Sequence, residues 1–170
     1  MEVRIHSFAP IVRCDAKILI LGTMPSETSL RDAFYYAHPR NCFWPMMAEI
    51  FGTPNPTTQS EKRTLLMTHR IALWDVAQSC VRPGSLDVDI RDAQPNDIGA
   101  LLRECPQIGL VLLNGGTAMR LFRKLLPEIS GMCLCKQMPS TSPAYTLPST
   151  KKRIAWEAAV REMIHPEMEG

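Results

Sequence analysis

The clearest pattern in the chain is an unbroken apolar run, Lys17-Ile-Leu-Ile-Leu-Gly22, too short for a helix and closed by glycine. Such a run reads as a strand buried on both faces and feeding a turn. Ile71-Ala-Leu-Trp74 and Ile108-Gly-Leu-Val-Leu-Leu-Asn114 repeat it, and Met132-Cys-Leu-Cys-Lys-Gln137 gives a weaker fourth. Between them, residues 42–51, 61–68, 98–104, 117–126 and 151–164 read as helices, the last capped by Ser149 or Thr150. Strand and helix alternate, so the expected fold is α/β: a three-layer αβα sandwich around a central, mainly parallel four-stranded sheet. In such a fold the ligand site lies beyond the carboxyl ends of the strands. The segments following Gly22, Trp74, Asn114 and Gln137 are therefore where chemistry is expected.

With 170 residues, 45% hydrophobic and 21% charged, the chain has enough apolar material for one core and too little length for two typical domains, so a single domain over 1–170 is expected. The 14 prolines are dispersed instead of marking a linker, and residues 164–170 read as a frayed end. A net charge of +2 does not by itself announce a nucleic-acid binder, so any DNA affinity must come from a local patch. The six cysteines form no C-x-x-C pair, which argues against a metal or iron–sulfur site. Cys133 and Cys135 are spaced as free thiols on one face of a strand. Neither a secretory leader nor a membrane-spanning run is visible, so a soluble, intracellular protein is expected.

Four segments at the expected strand ends stand out: Gly22-Thr-Met-Pro-Ser26, Tyr35-Tyr-Ala-His-Pro-Arg-Asn-Cys-Phe-Trp44, Asn114-Gly-Gly-Thr-Ala118 and Met138-Pro-Ser-Thr-Ser-Pro-Ala-Tyr145. All are rich in residues that make rigid turns and present backbone N–H groups to phosphates or a base edge. The amides around Gly115 meet a phosphate on one reading; on the other, the glycines serve close helix–strand packing. The sequence lacks both the full dinucleotide fingerprint and the P-loop lysine there. Lys151 and Lys152 stand at a helix start, where positive charge opposes the helix dipole; either a partner compensates or the face is simply solvated.

In order and together, G-x-x-P-S after a strand, Y-A-H-P-R-N-x-F-W and P-S-T-S-P-A-Y resemble the uracil-DNA glycosylase superfamily, and most of all its hypoxanthine-DNA glycosylase branch. The Trp74-Asp-Val segment and Arg82-Pro-Gly-Ser-Leu-Asp87 resemble that branch as well, so the similarity runs from about Leu21 to Tyr145. The resemblance implies excision of a deaminated base from DNA by water, leaving an abasic site, without metal, cofactor or covalent intermediate. The implied partner is DNA carrying such a base, bound by a monomer in the cytoplasm and on the nucleoid.

Residue by residue, the resemblance places Thr23, Met24, Tyr36 and Asp75 around the flipped base, with Tyr36 stacking on it; Tyr35 is able to exchange roles with Tyr36. Many relatives carry Asp or Asn where this chain has Met24, which cannot orient water. In the hypoxanthine branch that role falls to an asparagine that matches Asn41, whose carbonyl can hold water without ionising. Asn41 is equally placed to cap the following helix, and the two roles are compatible. His38 either polarises the leaving base or makes a structural hydrogen bond. Asp75, read as an ionised acceptor, suits the N1–H of hypoxanthine and the N3–H of uracil alike. Pro25, Ser26, Ser140, Thr141 and Ser142 are implied to grip phosphates, and Pro143, Ala144 and Tyr145 to form a wedge in the vacated stack. Alternatives are a uracil or thymine mismatch glycosylase, a noncatalytic nucleic-acid-binding module, which Met24 keeps open, and a hydrolase of free nucleosides.

Overall fold

The computed structural model describes residues 3–164; the expected frayed end, apart from Ile164, lies outside them. Among the described residues the order is β1 Arg4–His6, β2 Ile18–Gly22, α1 Glu27–Asp32, α2 Phe43–Phe51, α3 Gln59–Thr68, β3 Ile71–Asp75, β4 Ala77–Val81, a 3-10 turn Asp87–Asp89, β5 Arg91–Pro95, α4 Ile98–Glu104, β6 Leu110–Asn114, α5 Gly116–Leu125, α6 Pro127–Met132, β7 Cys135–Met138 and α7 Ser149–Arg161. The four expected strands form one parallel sheet in the order β3-β2-β6-β7.

Alternate residues of β2 and β6 serve opposite layers, as the two-residue strand period requires. Ile18, Ile20, Leu110 and Leu112 pack with Met47, Leu66 and Trp156 from α2, α3 and α7. Leu19, Leu21, Val111 and Leu113 pack with Leu101, Met119 and Phe122 from α4 and α5. Burial on both faces explains why these strands read as continuous apolar runs. The expected αβα layering is thus present.

Several elements were not anticipated. β1, β4 and β5 make a second, antiparallel sheet in the order β1-β4-β5, built from short, partly polar segments. Asn96 ties it to the main sheet, donating from Nδ2 to the carbonyl of Asp75 at 2.8 Å. Helices α1 and α6 were also missed; Pro127 opens α6 at a position where its missing N–H costs nothing. α7 is preceded by Pro148 and lacks a side-chain cap, so neither Ser149 nor Thr150 plays the expected part. β7 begins at Cys135, which leaves Cys133 outside the strand, at the end of α6.

The pairing registers align Gly22 with Asp75 and Asn114 with Met138, so the carboxyl ends of all four parallel strands open at one edge of the sheet. The candidate site is assembled there.

Candidate active site

A cavity of about 610 Å³ opens at that edge, lined by all four of the segments singled out by sequence and by the 85–88 loop. Its volume falls within the range that encloses a small organic ligand. Asn41, His38, Thr23, Met24, Tyr36 and Asp75 all line it, as do Pro25, Ser26, Gly115 and the 140–145 loop.

Asn41 sits just before α2, where its Oδ1 accepts the N–H of Phe43 at 3.0 Å. This bond fixes the amide and satisfies one of the donors left over at the helix start. A carbonyl oxygen has two lone pairs, so one stays available to a ligand or water. Cys42 next to it donates its N–H to the carbonyl of Thr141 at 3.2 Å, which fastens the Asn41 turn to the 140–145 loop. The Nδ1 of His38 accepts the Arg40 N–H at 3.1 Å, leaving Nε2 to carry the proton of a neutral ring.

Tyr36 and Tyr35 have separate surroundings. Tyr35 is buried, donates its hydroxyl to the carbonyl of Ala9 at 2.7 Å and packs edge-on against Phe8. Tyr36 adopts a left-handed φ of 53°, which for a bulky residue costs about 1–3 kcal/mol. Its ring lies on Phe43, centroids 4.3 Å apart, with its hydroxyl turned toward the strand ends. Burial and the neighbouring Asp75 push that phenol's pKa up.

Gly22 makes room for this arrangement. A Cβ at that position would come within 2.5 Å of Asp75 Oδ1 and 2.8 Å of the Tyr36 hydroxyl. Asp75 is 3% exposed and its Oδ2 has no hydrogen-bond partner among the described residues, while the Tyr36 hydroxyl lies near the Asn114 side chain. Burial, reinforced by nearby Asp87 and opposed by Arg82, pushes the Asp75 pKa up to about 8. Burial thus favours the protonated acid, which donates as well as accepts, over the ionised, acceptor-only carboxylate expected from sequence.

Three further residues complete this arrangement; the sequence places them within motifs but assigns them no role in the site. Asp87 accepts the Thr23 hydroxyl at 3.0 Å, and burial raises its pKa too. Buried Arg82 donates to the carbonyls of Pro25 and Gly84, clamping the 82–87 loop onto the Gly22 turn. Asn114 accepts the Thr141 N–H and donates to the Thr141 hydroxyl, both at 3.0 Å. Charged residues in an otherwise loop-like stretch, and an asparagine ending an apolar strand, were the available signals.

Several implied DNA contacts have intramolecular partners. Ser26 caps α1, accepting the Ser29 N–H at 3.2 Å. Thr141 is buried through Asn114, whereas Ser140 and Ser142 are half-buried and Pro143, Ala144 and Tyr145 exposed. Gly115, with φ of 103°, abuts Ser140 so closely that a Cβ would stand 3.2 Å from the serine Cβ. Lys151 is exposed, but Lys152 turns inward, donating to the carbonyls of Ser142 at 3.1 Å and Tyr145 at 2.7 Å. Those carbonyls compensate its unfavourable place at a helix start.

The profile of the family described as the uracil DNA glycosylase superfamily matches residues 9–164. A hypoxanthine DNA glycosylase of Methanosarcina acetivorans is 34% identical over 158 residues, covering 92% of this chain and 98% of that protein. Another hypoxanthine DNA glycosylase, from Methanosarcina barkeri, is 36% identical over 111 residues, 65% of this chain and 70% of the relative. A solution NMR structure of a candidate uracil DNA glycosylase from Methanosarcina acetivorans superposes with a TM-score of 0.81 at 32% identity, covering 95% of this chain and 99% of the other. Motifs, layering and cavity agree with these likenesses, and the chain belongs to the uracil DNA glycosylase superfamily.

Proposed function

We propose that this protein is a monofunctional DNA glycosylase that hydrolyses the N-glycosidic bond of a deaminated base, hypoxanthine foremost, and leaves an abasic site. The two Methanosarcina relatives bearing the hypoxanthine name support that substrate. The observation that carries the chemistry is Asn41: an amide fixed by the Phe43 N–H lines the same cavity as Tyr36 and Asp75. Its free carbonyl lone pair holds the attacking water near the sugar carbon, where positioning counts for more than basicity.

Flipping the nucleotide costs a few kcal/mol. Stacking on the Tyr36 ring returns about 1–3 kcal/mol, and the exposed Pro143, Ala144 and Tyr145 fill the gap left in the duplex. Thr23, Met24 and Asp75 surround the base, with His38 at its side. Pro25, Ser26, Gly115, Ser140, Thr141 and Ser142 lie along the path of the phosphates, and exposed Lys151 adds charge beside them. Lys152 holds the wedge loop from beneath. The enzyme acts as a single-domain monomer on DNA in the cytoplasm, and no helix among its described residues is long and apolar enough to cross a membrane.

The test is to incubate the protein with oligonucleotides carrying one deoxyinosine, deoxyuridine or deoxyxanthosine and cleave abasic sites with alkali. Cutting at deoxyinosine that disappears in Asn41→Ala of unchanged stability is expected. Cutting only at uracil would transfer the protein to the uracil or mismatch class. DNA binding without base release from any of the three would make it a binding module.

A further inference from the structure

Of the seven large hydrophobic side chains exposed among the described residues, three line the cavity: Leu86, Val88 and Tyr145. Tyr145 belongs to the wedge loop already described, but Leu86, 55% exposed, and Val88, 77% exposed, have had no part so far. Their loop is braced against the body of the protein. Buried Arg82 donates to the carbonyls of Pro25 and Gly84, and Ser85 Oγ accepts the Glu27 N–H at 2.9 Å. Asp87 accepts the Thr23 hydroxyl at 3.0 Å, and the N–H groups of Asp89 and Ile90 close the 3-10 turn on the carbonyls of Leu86 and Asp87. With Asp87 drawn inward, its neighbours on both sides are left in water. Single apolar side chains scattered over a surface need no partner, but two held together at the rim of a ligand cavity mark a contact surface.

We propose, resting on the function above, that Leu86 and Val88 form a second apolar wedge, which contacts the base stack of duplex DNA beside the flipped nucleotide. The 82–89 loop is fastened to the segment after β2, whereas the 140–145 loop follows β7 and is fastened to the end of β6. In the sheet order β3-β2-β6-β7 the two loops therefore reach the cavity from different halves of the sheet. Pro143, Ala144 and Tyr145 take the vacated place from one half, and Leu86 and Val88 meet the neighbouring bases from the other.

The make-up of the loop selects bases over phosphates. Residues 83–90 contain no lysine or arginine and include Asp87 and Asp89, and Arg82 before them is buried. Such a loop gains nothing from the phosphate backbone, whose affinity for proteins comes from cations. Leucine and valine gain instead by covering the face of a base at an opened step, as apolar wedges do. Because the loop is already held in place, it loses little conformational freedom on contact. A single strand has no paired stack to part, so the contact serves duplex substrate.

The test compares wild type, the double variant Leu86→Ser with Val88→Ser, and Met132→Ser, which alters an exposed apolar residue outside the cavity lining. Single-turnover excision of deoxyinosine is measured in duplex and in single-stranded oligonucleotides of one sequence. The ratio of duplex to single-strand rate falls by about tenfold in the double variant, on the order of what burying two apolar side chains supplies. In Met132→Ser the ratio keeps its wild-type value. A second readout needs no cleavage: 2-aminopurine is placed on each side in turn of a tetrahydrofuran abasic site in duplex DNA, and its emission rises as binding unstacks it. The double variant loses that rise on at least one side. A wild-type ratio, or wild-type emission on both sides, overturns the second wedge while the glycosylase function stands. If wild type releases no deaminated base from either form of DNA, the function itself fails, and the emission still decides the wedge.

Discussion

Asn114 and Thr141 close a two-way hydrogen bond: the Asn114 amide donates to the threonine hydroxyl and accepts the threonine N–H, each at 3.0 Å. One side chain at the end of β6 therefore holds the 140–145 loop, and the Thr141 carbonyl in turn receives the N–H of Cys42, beside Asn41. Replacing Asn114 by Ala leaves a buried N–H and hydroxyl unpaired, at about 1–3 kcal/mol. Urea unfolding should report that loss, and excision should fall with it because the loop and the Asn41 turn lose a common anchor.

Asn41→Ala separates catalysis from folding. The Phe43 N–H at the start of α2 loses its acceptor, worth about 1 kcal/mol. Loss of the positioned carbonyl should lower single-turnover excision by on the order of 10²–10³, as for other preorganised polar groups. A variant with near wild-type unfolding and unchanged excision would move the water to another residue.

Gly22→Ala introduces a Cβ 2.5 Å from Asp75 Oδ1 and 2.8 Å from the Tyr36 hydroxyl, at a fully buried strand end. Neither neighbour can retreat freely, so destabilisation of about 1–3 kcal/mol and loss of excision are expected. Gly131→Ala is the control: it meets nothing within 4 Å and lies in a helix, where alanine is the better residue. Thermal unfolding of the two variants should shift in opposite directions.

Asp75 also sets a pH dependence of stability. Its pKa rises from 3.8 to about 8 on folding, so between those values the native protein keeps a proton that the unfolded chain has released. Stability from this group is therefore present at acid pH and lost as pH climbs toward 8. Denaturant midpoints at pH 5 and pH 8, compared between wild type and Asp75→Asn, should show the variant gaining relative to wild type at the higher pH (the direction linkage requires).

The adjacent lysines should give different signatures. Lys151→Met removes an exposed cation, and the slope of log affinity for DNA against log salt should drop by about 0.9 if that cation neutralises one phosphate. Lys152→Met instead frees the carbonyls of Ser142 and Tyr145. Its effect should appear as lost stability and weakened excision, with a smaller change of salt slope. Equal slope changes in both would place Lys152 on the phosphates as well.

By itself, the sequence determined the central sheet and its layers, because strands buried on both faces must be apolar throughout, as Ile18–Gly22 and Leu110–Asn114 are. It also marked the Asn41 turn and the 140–145 loop, since proline, glycine and small polar residues declare rigid turns locally. The antiparallel sheet stayed hidden because Arg4–His6, Ala77–Val81 and Arg91–Pro95 are short and mixed in polarity. Their order comes from partners as distant as Ile5 and Cys80, which no local window registers. The same holds for charge: an aspartate is an aspartate in any sequence, and the protonation of Asp75 depends on what excludes water from it. Only folding brought Gly22, Tyr36, Arg82 and Asp87 around that carboxyl, and with them the chemistry of the pocket floor.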